Sequence, residues 1–214
     1  MIPKMSPTVK LDSLHPDDYT LKTIVQCITT GKTIAFPTET FYALGVSAYN
    51  EEAINKVFTI KGRGYNNPLP IIVEGETMLN EVVSEIPAVA TSLIREFWPG
   101  GLTLILRASN YIPPLLTAHT GTVAVRNSSH SIARMLVAEG GCPITATSAN
   151  LSGQKSCASA IEVAEGIGNV VDLIVDGGQT EGLLPSTIVD LTSTPPKIVR
   201  EGIVNSQRLY PFFG

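Results

Sequence analysis

Two cationic side chains, Lys61 and Arg63, stand two residues apart in a segment that also contains Gly62 and Gly64. Glycines let the backbone approach a ligand closely, while arginine offers phosphate a planar fork of donors and lysine a compact point charge. The segment is therefore a candidate phosphate-binding loop. Taken alone, a solvated basic loop is the better explanation of the same residues.

Clusters of small polar side chains follow apolar runs elsewhere in the chain. Residues 37–45 (PTETFYALG) and 145–153 (TATSANLSG) are two of them, and Ser186, Thr187 and Arg200 lie at the ends of two further runs. Each cluster alone has an ordinary explanation, since Thr and Pro often terminate strands and Ser or Asn often cap turns. Their recurrence predicts one polar pocket gathered from several strand ends.

Helices and strands interleave along the chain and would position these clusters. Apolar residues at helical spacing predict helices over residues 19–30, 51–60, 77–83, 88–97, 131–139 and 158–165. Short apolar runs predict strands over residues 33–36, 69–73, 102–107, 122–126, 173–176, 187–191 and 197–200, with a further apolar segment at 143–147. Because several strands follow one another without a helix between them, we expect a mixed sheet in an α/β (α+β) fold.

The composition excludes several functional classes. Of 214 residues, 43% are hydrophobic and 16% are charged, and the net charge of −4 argues against a protein that holds nucleic acid mainly through phosphate contacts. The sequence has no run of 18 apolar residues and no secretory leader pattern, and its three cysteines and three histidines lack metal-ligand spacing. We therefore expect a cytoplasmic protein without a membrane span or a metal site. The GxxxxGK, GxGxxG and GxSxG motifs are also absent.

Taken in chain order, eight short motifs resemble those of the YrdC family. They are residues 37–45 (family pattern PT[DE]TxYxLG), 61–69 (KxR followed by NPL), 98–103 (WPGPxT), 125–130 (VRxPxH), 148–153 (SANxSG), 176–178 (DGG), 186–191 (STxVDL) and 200–202 (RxG). The resemblance implies a YrdC-like domain over residues 19–206, with an N-terminal extension (1–18) and a C-terminal tail (207–214). The chain resembles the short, single-domain form of the family.

The resemblance implies a twisted mixed β-sheet flanked by helices, with a large concave cavity lined by positive charge. It also implies a nucleotidyltransferase that makes threonylcarbamoyl-AMP and pyrophosphate from L-threonine, bicarbonate and ATP. A separate tRNA threonylcarbamoyl-transferase complex then passes the threonylcarbamoyl group to an adenosine of tRNA. Mg²⁺ is expected to be held mainly by ATP, and any contact with tRNA or double-stranded RNA is expected to be weak because the chain is acidic.

The resemblance also assigns roles to individual residues. Lys61 and Arg63 are the expected catalytic pair, because they would neutralise phosphate charge. The expected nucleotide-binding residues are Lys61, Arg63, Asn67, Ser148, Asn150 and Arg200, and the expected threonine-binding residues are Thr38, Tyr42, Arg126, Ser186 and Thr187. No side chain is expected to bind a metal or to act as a nucleophile, since catalysis would consist of positioning and charge neutralisation.

Several positions depart from the family pattern. Gly64, Gly101, Ser128 and Glu201 stand where the family commonly has proline, and Ile72 stands where many members have histidine. Losing a proline loosens a loop without removing a functional group, so we expect weaker preorganisation at these places. Ile72 bears on which amino acid the enzyme accepts.

Three alternatives compete with the synthase. One is a paralogue that binds nucleotide or RNA without synthase activity, and another is the carbamoyl-adenylate chemistry of hydrogenase maturation. The latter is disfavoured because the YrdC-like domain there belongs to a much larger chain with zinc-finger and acylphosphatase segments, which this sequence does not contain. The third, a double-stranded-RNA-binding module, is disfavoured as a principal role by the net negative charge.

Overall fold

The computed structural model describes residues 6–213, which form eleven strands and six α-helices. The strands are β1 (Thr8–Lys10), β2 (Ile34–Pro37), β3 (Tyr42–Gly45), β4 (Ile71–Ile72), β5 (Leu102–Arg107), β6 (Thr122–Arg126), β7 (Ile144–Thr145), β8 (Thr147–Ser148), β9 (Leu173–Asp176), β10 (Thr187–Asp190) and β11 (Lys197–Arg200). The helices are α1 (Asp18–Thr29), α2 (Glu51–Lys61), α3 (Gly75–Val82), α4 (Ala88–Phe97), α5 (Ser131–Gly140) and α6 (Ala160–Ile167). None of the described helices is long and apolar enough to cross a membrane.

The strands divide into two mixed sheets. The first has the order β1-β9-β2-β3-β8, with parallel pairing across β1, β9 and β2 and antiparallel pairing across β2, β3 and β8. The second has the order β11-β10-β5-β6-β4-β7, in which antiparallel and parallel pairs alternate. The predicted mixed α/β architecture is confirmed, with two sheets in place of the single sheet that the sequence suggests.

A single residue, Ala146, carries the chain from one sheet to the other. It lies between β7 at the edge of the second sheet and β8 at the edge of the first. Its N–H donates to the carbonyl of Pro70, next to β4, at 2.8 Å. Three residues later, the Ala149 N–H donates to the carbonyl of Tyr42 in β3 at 2.9 Å. The short apolar segment at 143–147 therefore contributes to both sheets.

Helices cover both faces of the first sheet, because side chains alternate between the two faces along each strand. In β2, Ile34 and Phe36 belong to the core cluster that includes Ile28 of α1. Ala35, between them, belongs to the other cluster, which includes Val163 of α6. Burial on both faces explains why β2 is apolar throughout.

Helix α2 ends where the candidate phosphate loop begins. Asn50 caps its first turn by accepting a hydrogen bond from the Ala53 N–H at 2.9 Å. Gly62 closes the helix in the left-handed conformation (φ 57°), which glycine adopts without steric cost. Lys61 is therefore the last helical residue, and Arg63 follows directly after the turn.

Both terminal segments of the described chain contact this fold. β1 pairs in parallel with β9, and Leu11, just beyond β1, is buried. Towards the other end, Leu209 is buried, and Phe212 packs edge-on against Phe97 of α4 with ring centroids 5.8 Å apart. The division of the chain into an extension, a domain and a tail stays a prediction.

Candidate functional site

A cavity of about 660 Å³ lies among residues of both sheets. Ten of the eleven residues that the sequence predicts to bind ligands line it: Thr38, Tyr42, Lys61, Arg63, Asn67, Arg126, Ser148, Asn150, Ser186 and Arg200. Thr187 is the exception. This volume is typical of small-molecule sites.

The amino group of Lys61 is held at the cavity wall by three oxygen acceptors. Its Nζ donates to the Ser148 carbonyl at 2.6 Å, to the Ser148 hydroxyl at 3.3 Å and to Asn150 Oδ1 at 2.8 Å. Asn150 is itself fixed, because its Nδ2 donates to the Gln154 carbonyl at 2.5 Å. We refer to Lys61, Arg63, Ser148 and Asn150 as the Lys61 cluster.

The Lys61 cluster carries positive charge without a carboxylate beside it. Across residues 6–213, neither Lys61 nor Arg63 forms an ion pair. Lys61 is 4% exposed, and this burial, with a smaller contribution from Arg63, lowers the pKa of its ammonium group to about 8. Burial also lowers the pKa of Arg63. An anionic ligand would be favoured here, because its negative charge compensates for the lost hydration of the cations.

A second buried cation, Arg126 at the end of β6, has a counter-ion. Its Nη1 forms an ion pair with Glu39 Oε1 and a long hydrogen bond, 3.5 Å, with Thr40 Oγ1. The second Glu39 oxygen accepts from the Ser128 hydroxyl, which accepts in turn from the His130 N–H at 3.2 Å. Burial lowers the pKa of Arg126, and the Glu39 charge opposes that change. We refer to Glu39, Thr40, Arg126 and Ser128 as the Arg126 cluster.

Hydroxyl groups in the second sheet connect to a third cation, Arg200. Thr103 Oγ1 donates to Ser186 Oγ at 2.8 Å, and Arg200 Nη2 donates to the same oxygen at 2.9 Å. Arg200 also holds the Ser186 carbonyl through Nε at 3.0 Å and Nη2 at 2.8 Å. Burial, and then the nearby charge of Arg126, lower the pKa of Arg200. Arg200 thus fixes Ser186 and adds to the positive field of the cavity.

Thr38 and Tyr42 line the cavity but use their polar atoms within the protein. The Tyr42 hydroxyl donates to the Gly178 carbonyl at 2.6 Å, and burial raises its pKa to about 12. Thr38 Oγ1 donates to the Phe41 carbonyl at 2.7 Å. These bonds fix the shape of the wall that follows β2.

Thr187 lies on the opposite face of β10 from the cavity. Because side chains alternate along a strand, Ser186 and Ile188 line the cavity and Thr187 does not. Its Oγ1 instead donates to the Val204 carbonyl at 2.6 Å and accepts from the Val204 N–H at 3.0 Å. The side chain fastens the segment after β11 to β10.

The sequence did not single out Glu39, Ser128 and Thr103 as site residues. Glu39 and Arg126 lie 87 positions apart, and residue spacing does not show such a pairing. Thr103 has a sequence signal, since it is the one polar residue among the buried positions of β5. Buried polar side chains are normally hydrogen-bonded, and those beside a cavity are candidates for ligand contact.

Residues 26–202 match the model of the Sua5/YciO/YrdC family, which is described as telomere recombination. The chain belongs to the Sua5/YciO/YrdC family. The resemblance noted in the sequence is therefore confirmed.

Members of the Sua5/YciO/YrdC family resemble the chain over most of its length. Threonylcarbamoyl-AMP synthase of Pyrococcus abyssi is 41% identical over 186 residues, which cover 87% of this chain and 55% of that protein. The crystal structure of P. abyssi Sua5 complexed with L-threonine has a TM-score of 0.92 at 37% identity, covering 99% of this chain and 61% of that one. E. coli YciO has a TM-score of 0.85 at 27% identity, covering 96% and 100%. The chain thus spans little more than half of the P. abyssi protein.

One departure from the Sua5/YciO/YrdC pattern, Ser128, supplies contacts that the usual proline cannot make. Its side chain is fully buried and bridges Glu39 and the His130 N–H. Weaker preorganisation of this loop stays a prediction, and the Ser128 hydroxyl adds contacts that would partly offset it.

Two further departures from the family pattern are explained by packing. Ile72 is fully buried in the core, and it is its neighbour Ile71 that lines the cavity. A Cβ atom on Gly101 would lie 2.2 Å from Ile203 Cγ2, so the glycine admits the Ile203 side chain. Glycine is needed at position 202 because the backbone there passes close to the segment before Ser186. A Cβ atom on Gly202 would lie 2.3 Å from the Pro185 carbonyl oxygen. The segment before Ser186 is positioned by this contact.

Proposed function

We propose that the chain is an L-threonylcarbamoyladenylate synthase. One observation supports this best: a single cavity combines an uncompensated cationic group, the Lys61 cluster, with a buried arginine that already has a counter-ion, the Arg126 cluster. The first suits a polyanionic triphosphate, and the second suits the single carboxylate of an amino acid. Family relatives named threonylcarbamoyl-AMP synthase support the proposal.

The reaction would proceed without a covalent enzyme intermediate. Threonine and bicarbonate combine, with loss of water and a proton, to give the N-carboxylate of threonine. One oxygen of that carboxylate bonds to the α-phosphorus of ATP, while the bond from this phosphorus to the oxygen bridging to the β-phosphate breaks. The electron pair leaves with pyrophosphate, and threonylcarbamoyl-AMP remains. The protein contributes positioning and compensation of the phosphate charge.

The proposed nucleotide-binding residues are Lys61, Arg63, Asn67, Ser148, Asn150 and Arg200. Lys61 and Arg63 are the proposed catalytic pair. The Arg63 guanidinium forms no hydrogen bond within residues 6–213 and can therefore offer its fork to phosphate oxygens. Lys61 would exchange one of its protein acceptors for a phosphate oxygen, which stabilises its charged form.

The proposed threonine-binding residues are Thr38, Tyr42, Arg126 and Ser186, and Thr187 is left out because its side chain faces away from the cavity. Arg126 would pair with the threonine carboxylate, since Glu39 and Thr40 contact only its Nη1. The Ser186 hydroxyl and the Tyr42 ring line the same cavity.

ATP would enter as its Mg²⁺ complex. No three His, Cys, Asp or Glu side chains come together in the described part of the chain, residues 6–213. Phosphate oxygens and water would supply the ligands, as Mg²⁺ prefers.

The product would be used by a separate tRNA threonylcarbamoyl-transferase complex. A mixed anhydride of a carbamate and a phosphate is reactive, so transfer to an adenosine amine is chemically reasonable. Direct contact with tRNA or double-stranded RNA would be weak, because the net charge is −4.

Pyrophosphate release by the purified protein tests the proposal. Release from ATP is expected to require L-threonine, bicarbonate and Mg²⁺ together, and mass spectrometry should detect threonylcarbamoyl-AMP. Reactions lacking threonine or bicarbonate serve as controls. A protein that binds ATP or double-stranded RNA but releases no pyrophosphate under these conditions would be the non-synthase paralogue instead.

A further inference from the structure

The Arg126 guanidinium is held by the protein at one nitrogen. Nη1 contacts Glu39 and Thr40, whereas Nε and Nη2 donate to no atom of residues 6–213. A guanidinium binds a carboxylate best through two parallel hydrogen bonds from one edge. The Nε–Nη2 edge is the one that remains available, and Arg126 lines the cavity.

Glu39 is in turn held at both of its oxygens. Oε1 accepts from Arg126, and Oε2 accepts from the Ser128 hydroxyl. Ser128 is fully buried and also accepts from the N–H of His130, the residue that caps α5. The chain of contacts therefore runs from the start of α5 through Ser128 and Glu39 to Arg126. A carboxylate held at both oxygens has little freedom to rotate, and the Arg126 side chain that it binds is itself buried.

We propose that Ser128 and Glu39 are positioning residues, which hold Arg126 so that its Nε–Nη2 edge receives the threonine carboxylate. This inference rests on the proposed function, because it takes threonine as the ligand of Arg126. The ion pair also makes the Arg126 cluster nearly neutral, so this part of the cavity selects one correctly placed carboxylate rather than a polyanion such as triphosphate. Loss of either positioning residue should weaken threonine binding and leave ATP binding unchanged.

The residue that the family commonly has at position 128 provides a sharp test. The Ser128 N–H donates to no backbone carbonyl in the described chain, so proline at this position would break no backbone hydrogen bond. Ser128→Pro removes the hydroxyl and restrains the loop, while Ser128→Ala removes the hydroxyl and does not restrain it. Ser129→Ala is the matched control, because Ser129 is the adjacent serine and is exposed.

Steady-state pyrophosphate release should be measured with threonine and ATP varied in turn. We expect both Ser128→Ala and Ser128→Pro to raise KM for threonine by about three- to tenfold, the effect of losing one buried hydrogen bond. KM for ATP should not change, and Ser129→Ala should behave like the unmodified protein. A Ser128→Pro variant with normal KM for threonine would overturn the proposal, since loop rigidity would then be what matters. Equal increases in both KM values would overturn it as well.

Glu39→Gln provides a second, independent variant. The amide oxygen can still accept a hydrogen bond from Arg126, but the amide carries no negative charge, so the ion pair that holds the guanidinium is lost. KM for threonine should rise, and titration calorimetry should show weaker threonine binding with unchanged ATP binding. Unaltered threonine binding in this variant would contradict the inference alone, provided that the unmodified protein is active. Absence of threonine-dependent release by the unmodified protein would instead contradict the proposed function.

Discussion

Lys61 and Arg126 are both buried cations in the wall of one cavity, yet the protein compensates their charges in different ways. Lys61 donates to three neutral oxygens of Ser148 and Asn150. Arg126 has a carboxylate partner, Glu39. A lysine can lose its proton when burial becomes costly, whereas an arginine keeps its charge and needs a counter-ion. The difference is visible in Lys61, where burial lowers the pKa to about 8.

The two clusters therefore leave different net charges in the two parts of the cavity. The Lys61 cluster keeps its positive charge for a ligand, since no carboxylate neutralises it in the described structure. In the Arg126 cluster, Glu39 neutralises most of the positive charge, so Arg126 offers a ligand hydrogen-bond donors in fixed directions rather than a net charge. A polyanion and an amino acid can therefore be told apart within one cavity, by charge at the first cluster and by geometry at the second.

The largest effects are expected from two substitutions, one in each cluster, because each should weaken the binding of a different ligand. Lys61→Met removes a charge-assisted phosphate contact and should weaken ATP binding by on the order of 100-fold, with little change for threonine. Arg126→Lys keeps the charge but loses the planar fork, and should weaken threonine binding by about tenfold, with little change for ATP. Calorimetric titration with each ligand separately measures both.

Lys56→Met is the matched control for the first substitution, because Lys56 lies in the same helix and is exposed. It should leave both affinities unchanged. If Lys61→Met and Arg126→Lys each weakened the two ligands equally, the division of the cavity into two chemically different clusters would be wrong.

A pH effect of intermediate size should separate the clusters further. The pKa of Lys61 is about 8 in the free protein, and a bound phosphate favours the charged amine and so raises that pKa. ATP affinity should be constant below pH 8 and fall by up to about tenfold per pH unit above it, because binding then requires proton uptake. Arg126 should contribute no such step to threonine affinity, since its guanidinium stays charged throughout. Lys61→Met should abolish the pH dependence of ATP affinity, and a dependence that persisted in this variant would have to come from another group.

The smallest effect on activity is expected at Thr187. Thr187→Val keeps the side-chain volume and removes the two hydrogen bonds to Val204. Unfolding free energy should fall by about 1–2 kcal/mol, and the KM values for threonine and ATP should not change. The neighbouring Ser186→Ala should raise KM for threonine, because Ser186 lines the cavity. Denaturant unfolding and kinetics of the two variants together show whether one face of β10 serves ligand binding and the other serves stability.

Much of the fold can be predicted from local sequence patterns. The apolar runs of β5, β6, β9 and β11 predict the bounds that the structure has, and α4 does so as well. β1 and β3 are not among the predicted strands. β1 is a three-residue strand with one apolar residue, Val9, and forms only by pairing with β9, far away in sequence. β3 lies within the polar cluster at 37–45, and its four residues give too short a pattern to be recognised as a separate strand.

The site can be predicted in part, since the polar clusters at strand ends do meet in one cavity. Of the ten residues there, Lys61, Arg63 and Asn67 come from the end of α2 and the loop after it, and the other seven come from the ends of strands or from residues within two positions of them. The motif at 186–191 predicts a binding role for both Ser186 and Thr187. Adjacent side chains of a strand point to opposite faces of the sheet, so only Ser186 lines the cavity. The Glu39 contact with Arg126 depends on tertiary structure alone, and local sequence patterns do not contain it.

Ala146 has a mechanical consequence for the cavity. One residue joins β7 to β8, and hydrogen bonds fix the chain on each side of it to a different sheet. Only the two backbone torsions of that residue are free to alter the spacing between the sheets at this point. The fold itself therefore constrains the spacing between the two sheets beside Ser148, one of the residues that line the cavity. The two sheets act there as one connected frame rather than as independent layers.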